Sequence, residues 1–210
     1  DVAEVIDGRI NALFQFLEGL ARMPQLRDSL VSMQTKLHFI QKEAAFNSDI
    51  VEINITDTNG NLYSDGPVVK VNDRKWFQSV SAGKRYVSEP IVSKTSGKLV
   101  ALFTVPVYDD TNALCAFLSI DISGLWLSEQ IEDIIVGQTG YCYILGLDGN
   151  VIAFKNHELV KNKWNTIEEA KKDSSLKNNA DFEKQAIQTN KSSVGYYYYK
   201  GDKIAAYAAM

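Results

Sequence analysis

The sequence predicts an α+β fold: antiparallel sheets covered by helices, arranged as two modules behind a long leading helix. Three observations predict it. Apolar residues step by three or four through the first 47 or so positions, the spacing of one helix face. From Asp49 the pattern changes to short strands joined by turns. One strand–turn–strand pattern then occurs twice, as Ile55-Thr56-Asp57-Thr58-Asn59-Gly60-Asn61-Leu62-Tyr63 and as Ile144-Leu145-Gly146-Leu147-Asp148-Gly149-Asn150-Val151-Ile152.

The helical stripe runs through Val2, Ile6, Ile10, Leu13, Leu17 and Leu20. Pro24 removes a backbone donor and should break the helix near Met23. A second helical stretch is expected through Leu26, Leu30, Met33, Leu37 and Ile40. The leading part reads as a dimer-forming stalk and the later part as a sheet cover.

Ile50 to Thr56 alternates Ile and Val with polar residues, and Asp57-Thr58-Asn59-Gly60 has hairpin-turn chemistry. Leu62-Tyr63 starts the return strand. Val87 to Val92, Leu99 to Val107 and Ala113 to Ile122 read as three more strands. Thr95-Ser96-Gly97 and Asp109-Asp110-Thr111-Asn112 supply turns between them. Trp126 to Gly137 is expected to be a helical connection. The second module ends in a strand pair, Ser193 to Lys200 and Lys203 to Ala209, turned at Gly201-Asp202. Residues 156–190 between are polar and rich in Lys, Asn and Asp, which fits an exposed helix with loops. The expected divisions are 1–48, 49–130 and 131–210.

Across 210 residues, 45% are hydrophobic and 23% charged, ordinary for a globular protein. The net charge of -4 offers no basic surface for nucleic acid. No stretch approaches the roughly 18 consecutive apolar residues of a membrane span. The chain begins inside a helical pattern and ends in an apolar run, so it reads as a piece of something longer. Cys115 and Cys142 each sit in apolar stretches and read as separate buried hydrophobes, a disulfide being left open.

Few constellations suggest chemistry. Asp57, Asn59 and Asn61 alternate like the start of a calcium loop, but the glycine is misplaced and no glutamate closes it, so a turn is the better reading. His38 falls in a helix and His157 in a polar loop, and no nucleophile elbow, phosphate loop or zinc motif occurs. No enzyme, cofactor or metal is expected. Tyr196-Tyr197-Tyr198-Tyr199 places two rings on each face of a half-buried strand.

The stretch from Asp73 to Asp121 stands apart. Arg74 and Trp76 open one short helix, and Asp121 ends an otherwise apolar strand, where an unpaired carboxylate is costly once buried. Arg74 suits a ligand carboxylate and Asp121 a ligand amine.

Here the chain resembles a known family. Asp73-Arg74-Lys75-Trp76-Phe77, Ser88-Glu89-Pro90, the Gly97 turn, Val105-Pro106-Val107 and Ser119-Ile120-Asp121-Ile122 look like the double Cache sensor domains of bacterial chemoreceptors and sensor kinases. Gly137-Gln138-Thr139-Gly140-Tyr141 and Asp148-Gly149-Asn150-Val151-Ile152 look like the membrane-proximal half of the same family. The resemblance implies two stacked PAS-like modules outside the cytoplasm, flanked by transmembrane helices in a homodimeric receptor. A methyl-accepting chemotaxis protein is the expected whole, with a histidine kinase or cyclic-dinucleotide enzyme as the alternative output. A module that docks a periplasmic protein or only dimerises is the other alternative.

The implied ligand enters the membrane-distal module, residues 49–130. In members that bind amino acids, an arginine and a tryptophan two residues later grip the carboxylate, matching Arg74 and Trp76, and an aspartate matching Asp121 holds the amine. Three tyrosines of the family pattern are absent: Val68-Val69-Lys70-Val71, Phe77 and Ile91 stand in their places. The expected ligand is a small amino acid or a related carboxylate or amine. Tyr63, Tyr86, Ser93, Thr95, Thr104 and Ser119 are expected to line the pocket with Phe77 and Ile91.

Overall fold

The computed structural model describes residues 2–189, 191–198 and 200–208. The chain divides into two compact units, residues 9–126 and residues 1–8 with 127–210.

The leading helix α1 (Val2–Ala21) buries Phe14, Leu17 and Leu20 through its apolar stripe. It stops before Pro24, which takes the first position of a single turn, α2 (Pro24–Arg27), where its missing N–H costs nothing. The second long stretch is shorter than the spacing suggests. Asp28 takes the Leu30 amide with its carboxylate at 2.8 Å, and Ser32 caps α3 (Met33–Ala44) by accepting from the Thr35 amide. These two side chains compete with the helix for backbone groups. Leu30 therefore leaves the stripe and stands 93% exposed.

The sheet of this unit contains β1 (Ile50–Asp57), β2 (Asn61–Tyr63), β3 (Val69–Lys70), then after helix α4 (Lys75–Ser81) come β4 (Tyr86–Val87), β5 (Ile91–Val92), β6 (Leu99–Tyr108) and β7 (Leu114–Ser123). Its order is β3-β2-β1-β7-β6-β4, with β5 also on β6, and every described pairing is antiparallel. The single strand expected from Val87 to Val92 is two. Pro90 between them has no amide to donate, and the Ser88 hydroxyl replaces a backbone acceptor for the Leu102 amide at 2.9 Å.

Strand alternation gives the sheet two unlike faces. Ile53, Ile55, Ala101, Phe103, Leu118 and Ile120 turn to the helices α1 and α3 in the main core. The opposite face, toward α4, is polar at its centre. Glu52, Asp121 and Leu102 are cross-strand partners, as are Asn54, Ser119 and Thr104 in the next row. Trp76, Val80, Leu62, Val71, Leu102 and Phe117 form a smaller core on this side.

In the second unit, α5 (Trp126–Ile131) is half as long as the expected connection. The helix stops at Ile131, and the β-branched run Ile134-Ile135-Val136 beyond it, followed by Gly137 at φ +64°, does not resume it. There follow β8 (Tyr143–Leu145), β9 (Val151–Phe154), α6 (His157–Lys161), α7 (Thr166–Glu169), a 3-10 turn (Ser174–Leu176), α8 (Lys177–Thr189), β10 (Ser193–Tyr198) and β11 (Asp202–Tyr207). His157 thus opens a helix capped by Asn156, not a loop. The strands pair as two separate hairpins, β8 with β9 and β10 with β11. Phe182 of α8 stacks on Tyr197 at 5.0 Å. Tyr196 and Tyr198 are exposed, so the ribbon is less covered than the alternation suggests, and Tyr199 lies outside the described residues.

Each copy of the repeated hairpin is closed by an aspartate, four residues before its partner in the first and two before it in the second. Asp57 accepts from the Asn61 amide at 2.8 Å and its side chain at 2.6 Å, and Asp148 does so from Asn150 at 3.0 and 2.6 Å. Gly60 and Gly149 take φ of +78° and +85°, which those turns require. The Asp57 carboxylate is thereby committed to its turn. Cys115 and Cys142 are both free and only half-buried, and burial pushes both thiols up.

Candidate functional site

A narrow cavity of about 30 Å³ lies in the first unit between the polar sheet face, α4 and the 93–97 turn. Arg74, Trp76, Ile91, Thr95 and Asp121 line it together. Ser93, Asn54 and Lys94 join them, with Leu62, Val100 and Leu102 as apolar wall.

Arg74 is held by its position just before α4. Its backbone is extended, with φ -84° and ψ 138°, its amide bonds the Val71 carbonyl, and its own carbonyl receives the Phe77 amide. The half-buried guanidinium takes no ion-pair partner within 4.0 Å among the described residues. Trp76 is buried, with its ring 5.9 Å from Phe77.

Asp121 comes from β7, whose alternation aims it at the same side as Ser119 and Phe117. At 3% exposure its carboxyl is pushed up to about 7, mainly by burial, and further by the neighbouring Glu52 carboxylate; a hydrogen bond with Ser93 opposes the rise.

The 93–97 turn is built from its own side chains. The Ser93 amide bonds the Lys98 carbonyl, Gly97 returns to the Ser93 carbonyl at φ +68°, and the Ser93 and Thr95 hydroxyls meet at 2.8 Å. Thr95 donates to Glu52 Oε2 at 2.7 Å, and Lys94 Nζ reaches both Asp73 oxygens at 2.7 and 2.9 Å. The Asn54 amide, turned to suit its surroundings, donates to Glu52 Oε1 at 3.2 Å.

Five expected residues lie elsewhere. Tyr63 packs into the helix-side core, because alternation in β2 gives the cavity side to Leu62. Phe77 turns to Phe117, ring to ring at 5.3 Å. Thr104 donates to the Leu118 carbonyl at 3.1 Å, and Ser119 is buried beside it, its hydroxyl without a partner among the described residues; both sit one row beyond the cavity. Tyr86 packs in the smaller core on the same side as Trp76.

The dCache_1 profile, described as a Cache domain, matches residues 1–210. The chain belongs to this family. Cache domains are sensor domains. The Bacillus subtilis methyl-accepting chemotaxis protein McpB is 29% identical over 87 residues, which are 40% of this chain and 12% of that protein. The chain therefore spans a small part of its curated relative.

Two solved structures share the fold of this Cache domain. One is the ligand-binding domain of the Pseudomonas aeruginosa amino acid chemoreceptor PctC in complex with GABA: TM-score 0.65, 18% identity, 81% of this chain and 78% of that one. The other is the ligand-binding domain of the Campylobacter jejuni chemoreceptor Tlp3 in complex with 4-methylisoleucine: TM-score 0.68, 13% identity, 97% of this chain and 79% of that one.

Sequence reasoning missed Glu52, Asn54 and Lys94 in this Cache domain. Glu52 and Asn54 carried a signal in the alternation of β1, but only the β1–β7 register sets them beside Asp121 and Ser119. Lys94 sits in a turn whose fold depends on side-chain bonds 21 residues away.

Proposed function

We propose that this Cache domain is the extracytoplasmic sensor of a transmembrane chemoreceptor and binds a small amino acid, or a related amine or carboxylate, between Arg74 and Asp121. The observation that carries the reading is one cavity lined by an unpaired guanidinium, a buried indole and a buried carboxyl. Guanidinium pairs with a ligand carboxylate in a planar fork, and the carboxyl accepts from a ligand ammonium. Residues 49–130 form the membrane-distal PAS-like module and residues 131–210 the proximal one, in a homodimer with membrane helices on either side. Among the described residues no helix is long and apolar enough to cross a membrane.

The cavity has room for about one water, so a ligand of amino-acid size enters by displacing the 93–97 turn. That couples occupancy to backbone position. A ligand that binds the two positions unequally shifts the balance between them, which is what signalling requires.

Thermal shift against amino acids, amines and carboxylates tests the reading. At a hundred times its dissociation constant a ligand adds about 2.7 kcal/mol, a Tm rise of roughly 5–10 °C for a chain of this size. The rise should vanish in Arg74→Ala and in Asp121→Ala. A rise that survives both substitutions, or none with any compound, rejects the site.

A further inference from the structure

The sheet face under α4 is polar where a packed core is normally apolar. On that face β1 presents Glu52, Asn54 and Thr56, and their Cα partners on β7 are Asp121, Ser119 and Phe117. β6 adds Thr104 opposite Ser119. Asn54, Thr56, Thr104 and Ser119 are each at most 1% exposed. Thr104 is satisfied by the Leu118 carbonyl, and the Asn54 amide, once turned, by Glu52. The Ser119 and Thr56 hydroxyls have no hydrogen-bond partner among the described residues.

The residues of α4 packed on this face are Trp76, Phe77 and Val80, and of these only the Trp76 ring nitrogen can hydrogen-bond. A buried hydroxyl left unpaired destabilises the free protein, so such groups are rare. The row of Ser119 is joined to the cavity through Asn54. That residue lines the cavity, and Ser119 is its Cα partner.

We infer that Asn54 and Ser119 form the subsite for the ligand's side chain and that they select a carboxamide, as in L-glutamine. The inference rests on the ligand reading of the cavity given above and narrows the ligand class. The Ser119 hydroxyl both donates and accepts, and Asn54, with its nitrogen on Glu52, offers its oxygen. A carboxamide matches the pair: its nitrogen donates to Asn54 and its carbonyl accepts from Ser119. Length matters as well. With the α-carbon held between Arg74 and Asp121, the row lies two residues further along β7, roughly 7 Å away. Serine falls short of it, whereas glutamine reaches. A thioether or alkyl chain of the same length leaves Ser119 unpaired. The free cavity is only about 30 Å³, so the side chain parts α4 from this row as it enters.

The test is titration calorimetry of the 210-residue chain and its Ser119→Ala and Arg74→Ala variants with L-glutamine and L-methionine. These probes have side chains of similar length. L-Glutamine should bind the wild type about tenfold more tightly, the scale of one added hydrogen bond. Ser119→Ala should bring the two affinities together by weakening L-glutamine alone. Melting of the free proteins is the second readout. Ser119→Ala removes an unpaired buried hydroxyl, so it should melt no lower than the wild type.

Equal binding of both probes, lost in Arg74→Ala, overturns the subsite and leaves the ligand site standing. A preference for L-glutamine that survives Ser119→Ala does the same. So does a Ser119→Ala variant that melts well below the wild type, since the hydroxyl then has a partner in the free protein. Binding of neither probe by a chain that takes another compound through Arg74 overturns the carboxamide class alone. No binding of any compound, or binding indifferent to Arg74→Ala, overturns both readings.

Discussion

Lys94 closes the cavity's turn onto the segment before α4: its ammonium lies 2.7 and 2.9 Å from the Asp73 oxygens and 3.1 Å from the Lys70 carbonyl. The pair also lowers the Asp73 carboxyl, through the hydrogen bond from Lys94 first of all. Asp73 is exposed, so the pair adds little to global stability. Its effect is local. Lys94→Met should leave Tm within roughly 2–3 °C while amide exchange in residues 93–98 quickens several-fold, as local opening becomes cheaper. Unchanged exchange would show that the turn is held by its Ser93 and Thr95 bonds alone.

Asp121 makes stability fall as pH rises. Its carboxyl is held at about 7 in the fold, above the ordinary value near 3.8, because burial penalises the charge. The folded state therefore holds the proton more tightly than the unfolded state, and this contribution is full below about pH 4. It is lost as pH climbs to about 7, a swing on the order of 4 kcal/mol. Asp121→Asn should flatten that part of a denaturation–pH profile and be the more stable protein at pH 8. A ligand ammonium has the opposite pH dependence, since it needs the ionised carboxylate.

The fold was legible where periodicity and turn chemistry agree. The α1 stripe, the Pro24 break and the Asp57–Gly60 hairpin each follow from local residues, and the Arg74–Trp76 pair sits as its spacing implies. What escaped depends on register. Glu52 reads as a surface residue until β1 is aligned with β7, and Tyr63 reads as a pocket liner until β2 is known to give that side to Leu62. A one-residue slip exchanges the two faces of a strand, so burial pattern alone cannot assign the cavity. Leu30 and the split at Pro90 were decided by side chains that compete for backbone groups.

In the second unit Glu183 is the costly acid. It is 2% exposed, and the Tyr143 hydroxyl donates to its Oε1 at 3.1 Å while Oε2 has no hydrogen-bond partner among the described residues. Burial raises its carboxyl, with the Tyr143 bond opposing, so its ionisation destabilises the fold as pH rises through the raised value. Glu183→Gln retains an acceptor for Tyr143 and cannot ionise. It should match the wild type at acid pH and exceed it at pH 8 by about 1–3 kcal/mol, the cost of an ill-satisfied buried group. Tyr143→Phe should destabilise at both pH values. Equal pH profiles for Glu183→Gln and wild type would count against a buried charge here.

Lys36 is a buried cation in the first unit, on the α3 face that covers the sheet. Only 2% of it is exposed, and among the described residues its ammonium makes no hydrogen bond or ion pair. A charge without a close partner is disfavoured there, and methionine matches its length without one. Lys36→Met should raise Tm by about 2–4 °C, the scale of 1 kcal/mol in a chain of this size. A second readout separates packing from charge. Lys36 partly offsets the burial that pushes the Cys115 thiol up, so removing it should raise that thiol further and slow its reaction with a disulfide reagent at pH 8. A drop in Tm together with unchanged Cys115 reactivity would mean that the Lys36 stem packs better than methionine and that its charge is already screened.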